Sequence, residues 1–411
     1  MVKSTTLSDP ILSPSAEFLA NPYPTLARLR QEAPVYWSEK GNYWLLTRYG
    51  DVHEVVSDRQ FEKGVMKFKN TDLFVKLFPV GDLLEFREHS MLLQNPPDHT
   101  RLRGLVNKAF TPSMVAGLKP RIEAITNELL EGILAKSAKS KEFDLIAEMA
   151  YPLPATVIAE MLGIPTSDRE KFKVWSHNIT AALDPNPQPN LLNIAKVAGA
   201  YKDLIAYLRP LVADRRKERK NDLISALVAA EEDGNHLSET ELLANIVLLL
   251  IAGHETTTNL IGNGVLALLR NPDQLELLKS KPDLMPTAID EFLRYDSPVQ
   301  MVRRIAADNF QIGDTTIKSG QHVVPLIGAA NHDPDQFKDP ETLDITREDN
   351  KHISFGHGIH HCLGWSLAGA EGQIAISALL KTFPNIKMKT QKIEVKLPFS
   401  LRGVKQLHVT Y

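Results

Sequence analysis

Apolar side chains recur at helical spacing along most of the 411-residue chain. In the segment 119–134, intervals of three or four residues separate Ile122, Ile125, Leu129 and Ile133. This spacing places them on one face of a helix, as in ordinary core packing. Similar patterns predict helices at residues 145–162, 168–183 and 191–217. The fold is therefore predicted to be mainly α-helical.

The longest predicted helix lies near the middle of the chain. Ser238 is followed three residues later by Glu241, a capping box that indicates a helix start. The helix is expected to continue through the apolar run 246–252 to about Arg270, because Pro272 then ends it. Apolar residues cover nearly every face of its middle, which is typical of a helix buried in a large protein.

Strand signals are fewer and predict a smaller β region. Residues 35–37 and 43–47 are predicted to form paired strands joined at a Gly-Asn turn. Segments 312–314 and 323–327 are predicted to be strands of a small sheet. In the segment 184–190, three prolines alternate with polar residues, so a loop is expected there.

Composition limits the classes of protein to consider. A net charge of -3 at pH 7 argues against a nucleic-acid binder driven by overall charge. The single cysteine excludes an internal disulfide, a CxxC redox pair, and zinc or iron–sulfur sites built from four cysteines. Residues 1–24 resemble neither a signal peptide nor a membrane anchor, and no apolar run reaches the ~20 residues that span a bilayer. We expect a cytoplasmic monomer in which residues 1–411 form one domain.

The only cysteine, Cys362, lies in a turn dense with glycine, Ser-Phe-Gly-His-Gly-Ile-His-His-Cys-Leu-Gly at residues 354–364. These glycines permit positive φ values and let backbone N–H groups approach a central atom. Hydrogen bonds from such groups stabilise a thiolate, the form of cysteine that binds metals. The commoner role of a free cysteine is that of a small buried apolar residue. Both roles fit the cysteine taken alone.

The spacing Phe355-x-x-Gly358-x-His360-x-Cys362-x-Gly364 resembles the haem-binding loop of the cytochrome P-450 family. Members of this mainly helical family are monooxygenases in which the cysteine thiolate is the axial ligand of haem b and favours cleavage of the O–O bond. The resemblance implies that Cys362 binds the iron and that Phe355 shields the sulfur. It also places His360 against a haem propionate and Gly364 in the cofactor-binding loop.

Three basic residues match propionate-binding positions of the family. His99 and Arg103 are four residues apart in a helix that opens within residues 95–103, so they share one face. A solvated surface is the default for such a pair. The resemblance instead implies that both bind haem propionates, with Arg103 pairing in a bidentate manner. It assigns the same role to Arg304, with Arg303 as the alternative.

The middle of the longest predicted helix contains residue types that are unfavourable inside a buried helix. An interior glycine costs about 1 kcal/mol and an unpaired buried carboxylate costs more, so their clustering indicates a functional site. Residues 252–257, Ala-Gly-His-Glu-Thr-Thr, match the oxygen-activation motif of the family. The match implies that Ala252 lies at the haem and that Gly253 gives the helix room there. Glu255 and Thr256 would relay two protons to dioxygen as a catalytic acid–alcohol pair. The alternative for Thr256 is a hydroxyl that bonds back to its own helix.

Glu291 and Arg294 lie in a short helix predicted at residues 286–295. Three residues apart, they would ordinarily form a surface ion pair of little energetic value. They match the Glu-x-x-Arg motif of the family, in which the pair is internal and joins a downstream arginine, here Arg347. The resemblance implies a structural network beneath the haem, and such a network is strongly destabilised when one member is removed.

Alignment with the family gives a set of apolar pocket residues: Leu92, Leu248, Ile251, Ala252, Val299, Met301, Val302 and Phe399. Such a pocket suits hydroxylation or epoxidation of a fatty acid, a terpenoid or a polyketide. The resemblance also suggests that the hairpin around residues 184–190 is a lid over the active site. A stiff connector fits the sequence equally well.

Electrons are expected from separate proteins, because no glycine-rich dinucleotide loop follows a strand and the chain ends without a flavin domain. The implied partners are a ferredoxin or a flavodoxin with an NAD(P)H-dependent reductase. Many soluble bacterial members carry an arginine where this chain has Gly369. One positive charge near the cysteine is therefore missing.

Two other functions remain open. A peroxide-driven haem peroxygenase would use the same cysteine, but such relatives generally lack the acid–alcohol pair that Glu255 and Thr256 supply. A non-haem metal enzyme would be built on three histidines that lie close together on one short loop: His357, His360 and His361.

Overall fold

The computed structural model describes residues 9–63, 86, 88–180, 191–232, 237–390, 393–396 and 398–411. Its fold is mainly helical with a small β region, as the sequence predicts. The α-helices are Ala16–Ala20, Tyr23–Glu32, Tyr49–Ser57, Asp98–Ala109, Pro112–Ser137, Pro152–Met161, Arg169–Thr180, Leu191–Lys217, Leu223–Glu232, Glu239–Arg270, Pro272–Ser280, Met285–Tyr295, Ile327–Ala330 and Trp365–Thr382. A π-helix spans Ile146–Ala150, and 3₁₀ helices span Thr166–Asp168, Pro282–Leu284 and Gly358–His360. The strands are β1 Val35–Ser38, β2 Tyr43–Leu46, β3 Phe61–Glu62, β4 Glu142–Asp144, β5 Arg304–Ala306, β6 Phe310–Ile312, β7 Thr315–Ile317, β8 His322–Pro325, β9 Lys387–Met388 and β10 His408–Thr410.

The helix Glu239–Arg270, here called the central helix, begins and ends where the sequence predicts. The Ser238 hydroxyl accepts a hydrogen bond from the Glu241 N–H at 3.1 Å, and the Glu241 carboxylate accepts one from the Ser238 N–H at 2.7 Å. This capping box satisfies donors that a helix N-terminus otherwise leaves unpaired. Neither this helix nor any other in the described ranges combines the length and the apolar composition of a membrane span. The helices that pack on it include Pro152–Met161, Met285–Tyr295 and Trp365–Thr382.

A five-stranded sheet in the order β1-β2-β8-β5-β3 carries one candidate site residue, Arg304, on β5. The β1–β2 hairpin is the predicted one, with Val35 paired to Leu46. Strand β8 pairs in parallel with β2 and antiparallel with β5. Phe61 in β3 pairs with Ala306 in β5. The sheet therefore joins the N-terminal part of the chain to its C-terminal third.

The structure corrects two strand predictions. Residues 312–314 do not form one strand, because Gly313 has φ = 53° and lies in the turn between β6 and β7. Glycine tolerates this conformation, which interrupts an extended strand. The strand predicted at 323–327 ends at Pro325, which lacks the N–H that a continuing ladder uses, and Ile327 begins a short helix.

Of the other predicted helices, Leu191–Lys217 has the predicted bounds and the segment 145–162 does not. That segment is divided into a π-helix, Ile146–Ala150, and an α-helix, Pro152–Met161. Proline has no N–H to donate and favours the first turn of a helix, so a separate helix starts at Pro152. The apolar periodicity continues across this break and conceals it.

The helix predicted at 119–134 is longer than expected and spans Pro112–Ser137. It starts after Thr111, whose hydroxyl accepts a hydrogen bond from the Met114 N–H at 3.2 Å. Val115, Leu118 and Ile122 keep the helical spacing, but Pro120 lies inside this helix, and because proline favours the first turn, the sequence places the start too late. The loop predicted at 184–190 lies outside the described residues.

Glu291 and Arg294 are fully buried in the helix Met285–Tyr295. Two guanidinium nitrogens of Arg294 donate to the two carboxylate oxygens of Glu291 at 2.8 Å each. The Nε atom of Arg347 donates to the same carboxylate at 3.1 Å, and the Asp344 N–H adds a bond at 2.9 Å. The carboxylate therefore joins two arginines away from solvent.

We predict that Glu291→Ala lowers the free energy of unfolding by about 3–5 kcal/mol, because it leaves buried arginine charge unpaired. Urea denaturation followed by circular dichroism measures the change. Glu276→Ala is the matched control, since Glu276 pairs with Lys279 at the same spacing and at 2.7 Å but is 68% exposed. The control should change stability by less than about 0.5 kcal/mol. Equal losses in the two variants would contradict a bracing role for Glu291.

Candidate active site

Cys362 follows the 3₁₀ turn Gly358–His360. Its backbone N–H donates to the carbonyl of Phe355 at 2.9 Å, and Phe355 itself packs partly buried against the main core. Gly358 has φ = 68°, and a Cβ at this position would lie 3.0 Å from the Ser57 carbonyl oxygen. Only glycine combines this conformation with this close approach. The glycine content of the loop is therefore needed to hold the cysteine in place.

The thiol of Cys362 lies in an environment that disfavours a free thiolate. Burial raises the pKa of the Cys362 thiol, whereas a hydrogen bond from the backbone of Gly364 and the charge of Arg103 act in the opposite direction. A metal ion would supply the missing positive charge, since a coordinating thiol is deprotonated outright. Burial alone would keep this thiol neutral, and a bound metal ion would convert it to a thiolate.

Beside this loop lies a group of basic side chains that we call the cationic cluster: Lys63, His99, Arg103, Arg304 and His360. The rings of His99 and His360 are 4.2 Å apart. Burial, reinforced by the charges of the other four members, lowers the pKa of His360 to about 2. Burial lowers the pKa of the Arg304 guanidinium to about 10, and burial with the nearby Arg304 charge lowers the pKa of the Lys63 ammonium well below its usual value. Each group is thus less stable as a cation here than in water.

Within the described ranges, no carboxylate pairs with the cationic cluster. Arg103 donates instead to the carbonyl of His361 at 2.9 Å, and Arg304 to the carbonyl of Arg303 at 3.0 Å. The buried Nδ1 atom of His99 has no hydrogen-bond partner among the described residues. Buried positive charge is stabilised by an anion, and arginine pairs best with carboxylates. The cluster therefore fits the two propionates of the haem that the cysteine loop implies.

The sequence left a choice between Arg303 and Arg304, and the structure distinguishes them. The guanidinium of Arg303 lies over the ring of Tyr43 at 5.7 Å. Arg304 is 4% exposed, and its charge acts on Lys63 and His360. Successive side chains of an extended segment point to opposite faces, so only one of the two arginines can join the cluster. That residue is Arg304.

The fifth member of the cationic cluster, Lys63, was not predicted from the sequence. This residue follows β3, in which Glu62 pairs with Ile305 of β5, and the same register places Lys63 opposite Arg304. The Lys63 N–H donates to the Asn95 side chain at 2.8 Å, and the Asn95 amide donates to the Lys63 carbonyl at 3.0 Å. The position of Lys63 depends on strand register, for which this part of the sequence contains no signal.

Ala252 and Thr256 lie one turn apart on the central helix. Ala252 is exposed although its neighbour Ile251 is only 3% exposed, so this face of a buried helix borders open space. The Thr256 hydroxyl donates to the Ala252 carbonyl at 2.9 Å, which is the back-bonded arrangement. A hydroxyl that donates in this way keeps acceptor capacity. It can therefore still receive a proton from a neighbour.

The structure corrects the expectation for Gly253. A Cβ at this position would lie 3.1 Å from Cγ1 of Ile158, on the neighbouring helix Pro152–Met161. Few real side chains approach that closely. The room that the glycine provides is therefore taken by Ile158, and it allows the two helices to pack together.

Glu255 is only 12% exposed and lies in a polar group on the central helix. Its Oε2 atom is 3.4 Å from Nζ of Lys396, which also lies 3.4 Å from Oδ1 of Asn259. Its other oxygen is 4.0 Å from Nε2 of His254. Lys396 could not be predicted from the sequence, because this lysine belongs to no motif and lies far from Glu255 along the chain.

The apolar residues expected to line the substrate pocket fall into separate clusters. Leu248 and Ile251 are buried in the main core, and Leu92 packs against that core. The structure thus brings these three residues into one cluster with the central helix.

The remaining pocket residues lie on the C-terminal side. Met301 and Phe399 share a second cluster, and Val302 packs against a third. Val299 forms an isolated β-bridge with Leu401, close in sequence to Phe399. Packing within the described residues does not unite these four with the central-helix group.

The histidines of the cysteine loop point to different neighbours. Nδ1 of His357 is 3.0 Å from the hydroxyl of Ser57, whereas the ring of His360 lies beside that of His99. In the part of the chain that the structure describes, no three His, Cys, Asp or Glu side chains are arranged to hold a metal ion. The three histidines of the loop therefore do not share one site in this part of the chain.

Comparison with known proteins extends these observations to the whole chain. A family model described as Cytochrome P450 matches residues 28–407. Cytochrome P450 107B1 of Saccharopolyspora erythraea is 44% identical over 395 residues, which are 93% of each chain. The polyketide biosynthesis cytochrome P450 PksS of Bacillus subtilis is 41% identical over 96% of each chain.

The fold comparison agrees. The crystal structure of P450BioI in complex with an acyl carrier protein ligated to hexadec-9Z-enoic acid matches with a TM-score of 0.89 and 37% identity. The match covers 97% of this chain and all of that one. Relatives at this level share a haem-dependent oxidoreductase fold, and the cysteine loop and the cationic cluster fit that cofactor. The chain therefore belongs to the cytochrome P450 family of haem-thiolate monooxygenases.

Proposed function

We propose that this protein uses haem b to insert one oxygen atom of dioxygen into an apolar organic substrate. The observation that carries the proposal is the cationic cluster, which has no carboxylate partner in the described residues and lies beside the only cysteine. A dianionic cofactor that contains a thiolate-binding metal satisfies both features at once.

On the sulfur side, Cys362 would bind the iron, and the partly buried Phe355 would shield the sulfur. The Gly364 N–H, which already favours the thiolate, would help to keep it charged. Ala252, whose exposed methyl group interrupts a buried helix, would line the cofactor pocket. When bound, haem supplies the redox chemistry of dioxygen reduction, and its thiolate ligand favours O–O cleavage.

The two propionates would be held by the cationic cluster. Arg103 and Arg304 would donate the charge-assisted hydrogen bonds, because a guanidinium matches the geometry of a carboxylate. His99 and His360 would donate through their ring N–H groups, and the propionates would offset the burial that lowers the pKa of both rings. Lys63 would add a fifth donor from the strand side.

The overall reaction converts R–H to R–OH and one water, and consumes one dioxygen, two electrons and two protons. We assign proton delivery to Glu255 and Thr256. The carboxylate of Glu255 is partly exposed and can exchange protons with solvent, while the Thr256 hydroxyl borders open space on the same helix. A carboxylate and a hydroxyl together can pass protons inward without admitting bulk water.

The substrate is proposed to be an apolar chain such as a fatty acyl or polyketide group. Support comes from the apolar pocket residues and from relatives whose names or titles refer to polyketide biosynthesis and to a fatty acid on an acyl carrier protein. Electrons would come from a ferredoxin or flavodoxin with an NAD(P)H-dependent reductase. The acid–alcohol pair favours this route over peroxide-driven turnover, in which dioxygen need not be protonated.

We predict that Arg304→Gln weakens haem binding roughly 10- to 100-fold, because each charge-assisted hydrogen bond contributes about 1.5–3 kcal/mol. Titration of haem into the cofactor-free protein, followed by absorbance, gives the affinity. Arg303→Gln is the matched control and should bind haem like the unmodified protein. A stronger loss in Arg303→Gln would transfer the propionate role to that residue.

We predict that the reduced, carbon-monoxide-treated protein shows the strongly red-shifted Soret band of thiolate-ligated haem. Cys362→Ser should lose this band, since an alcohol does not replace a thiolate as the iron ligand. The absorption spectrum and the haem content per chain are the measurements. A colourless preparation that contains zinc would refute the proposal.

We predict that Thr256→Ala binds haem and substrate normally but lowers product per electron pair by roughly tenfold, with hydrogen peroxide formed instead. In that diverted path the two electrons and two protons reduce dioxygen to peroxide, so no substrate is oxidised. Thr257→Ala is the matched control, because Thr257 donates to the carbonyl of Gly253 at 3.3 Å but is buried. Unchanged coupling in Thr256→Ala would remove this residue from the proton path.

A further inference from the structure

We propose that Lys396 is a positioning residue for proton delivery, which holds the Glu255 carboxylate in place and connects it to solvent. The inference rests on the proposed monooxygenase function. It adds a residue that lies outside the central helix and outside every motif of the sequence. In this role Lys396 touches neither substrate nor cofactor, and it acts through Glu255.

The ammonium group of Lys396 contacts two side chains of the central helix. Nζ of Lys396 lies 3.4 Å from Oε2 of Glu255 and 3.4 Å from Oδ1 of Asn259. Glu255 and Asn259 are one helical turn apart, so the ammonium lies along the face of the central helix. The Lys396 side chain is 24% exposed and that of Glu255 is 12% exposed. The pair therefore leads from solvent to a carboxylate beside Thr256.

Backbone pairing fixes the position of this lysine. The Lys396 N–H donates to the Gly403 carbonyl at 2.8 Å, and Val395 forms a β-bridge with Val404. The Lys405 N–H donates to the carbonyl of Glu394 at 2.8 Å, which extends the same hairpin. A long side chain on a paired strand has fewer positions to lose when it forms an ion pair than one on a free loop.

The hairpin also lies directly against the central helix. A Cβ on Gly403 would be 2.0 Å from Oδ1 of Asn259, so any larger residue would displace the Asn259 side chain. Next to it, Arg402 is anchored by Asp296 at 2.6 Å and by the carbonyl of Leu19 at 2.6 Å. The distance from hairpin to helix is thus set by packing of the strand opposite Lys396. Nζ reaches Glu255 because of this close contact.

Among the described residues, the other basic group placed near Glu255 is His254, and it cannot replace the lysine. Nδ1 of His254 lies 2.8 Å from the carbonyl of Leu250, and its Nε2 is buried without a hydrogen-bond partner in the described residues. Burial lowers the pKa of His254, so the ring is neutral near pH 7. A carboxylate with little access to water needs a positive partner to keep its geometry. Lys396 supplies that charge, and its exposure lets water reach the pair.

The test compares three variants of the haem-loaded enzyme with its electron donors: Lys396→Met, Lys396→Arg and Lys405→Met. Lys396→Met should lower product per electron pair by about threefold or more and raise hydrogen peroxide to match, while the substrate Kd and the carbon monoxide spectrum stay unchanged. Lys396→Arg should restore coupling, because it keeps the cation. Lys405→Met should behave like the unmodified enzyme, since Lys405 pairs with Glu394 at the same 3.4 Å on the same hairpin but is 64% exposed.

A readout without turnover tests the contact itself. The Tm shifts of Lys396→Met and Glu255→Gln should not be additive in the double variant, because both remove the same ion pair. Additive shifts would show that the two side chains do not interact.

The possible failures can be told apart. If Lys396→Met lowers Tm and leaves coupling intact, the lysine only fastens the hairpin and the inference is overturned. It is overturned as well if Thr256→Ala diverts electrons to peroxide and Lys396→Met does not. If neither variant changes coupling, the proposed proton path through Glu255 and Thr256 is itself wrong, and Lys396 has no role in it.

Discussion

Buried positive charge without a described counter-ion is the constraint on which this active site depends. Separate elements deliver the charges, namely the residue after β3, the helix Asp98–Ala109 and strand β5, and the cysteine loop adds the ring of His360. Each group loses hydration, and burial alone is enough to lower the pKa of Arg304. The large apolar core around the central helix stabilises the fold in spite of this cost. Such local conflict is expected where a protein is shaped for a ligand rather than for stability alone.

The ionic network around Glu291 and the ion pair of Glu255 with Lys396 differ in how tightly they are bonded. Glu291 has both carboxylate oxygens bonded to Arg294 and a further bond to Arg347, so the buried carboxylate is fully hydrogen-bonded. The contacts of Glu255 with Lys396 are longer, at 3.4 Å, and are partly exposed. A fully satisfied network resists rearrangement, whereas a looser pair can change partners during a proton transfer. The rigid arrangement supports the fold and the loose one lies next to the proposed chemistry.

Features with local causes could be predicted from sequence. The bounds of the central helix follow from its capping box and from Pro272, and the turn around Cys362 follows from its glycines. Contacts that depend on register or on distant packing could not. Lys63 joins Arg304 only through strand pairing, and Lys396 reaches the central helix only because a hairpin packs on it. The family resemblance supplied the residue roles, because spacing alone left each of them with an ordinary structural alternative.

The strand pairing in the five-stranded sheet determines how late the site can assemble during synthesis. Strand β2 pairs with β8, and β3 pairs with β5, so early and late parts of the chain must meet before the sheet exists. Contacts between such distant residues form slowly, and a chain leaves the ribosome N-terminus first. Lys63, Arg304 and Cys362 therefore come together only once nearly all of the polypeptide has emerged. A pigment held by residues from both ends of the chain can therefore be gripped in full only late in synthesis or after it.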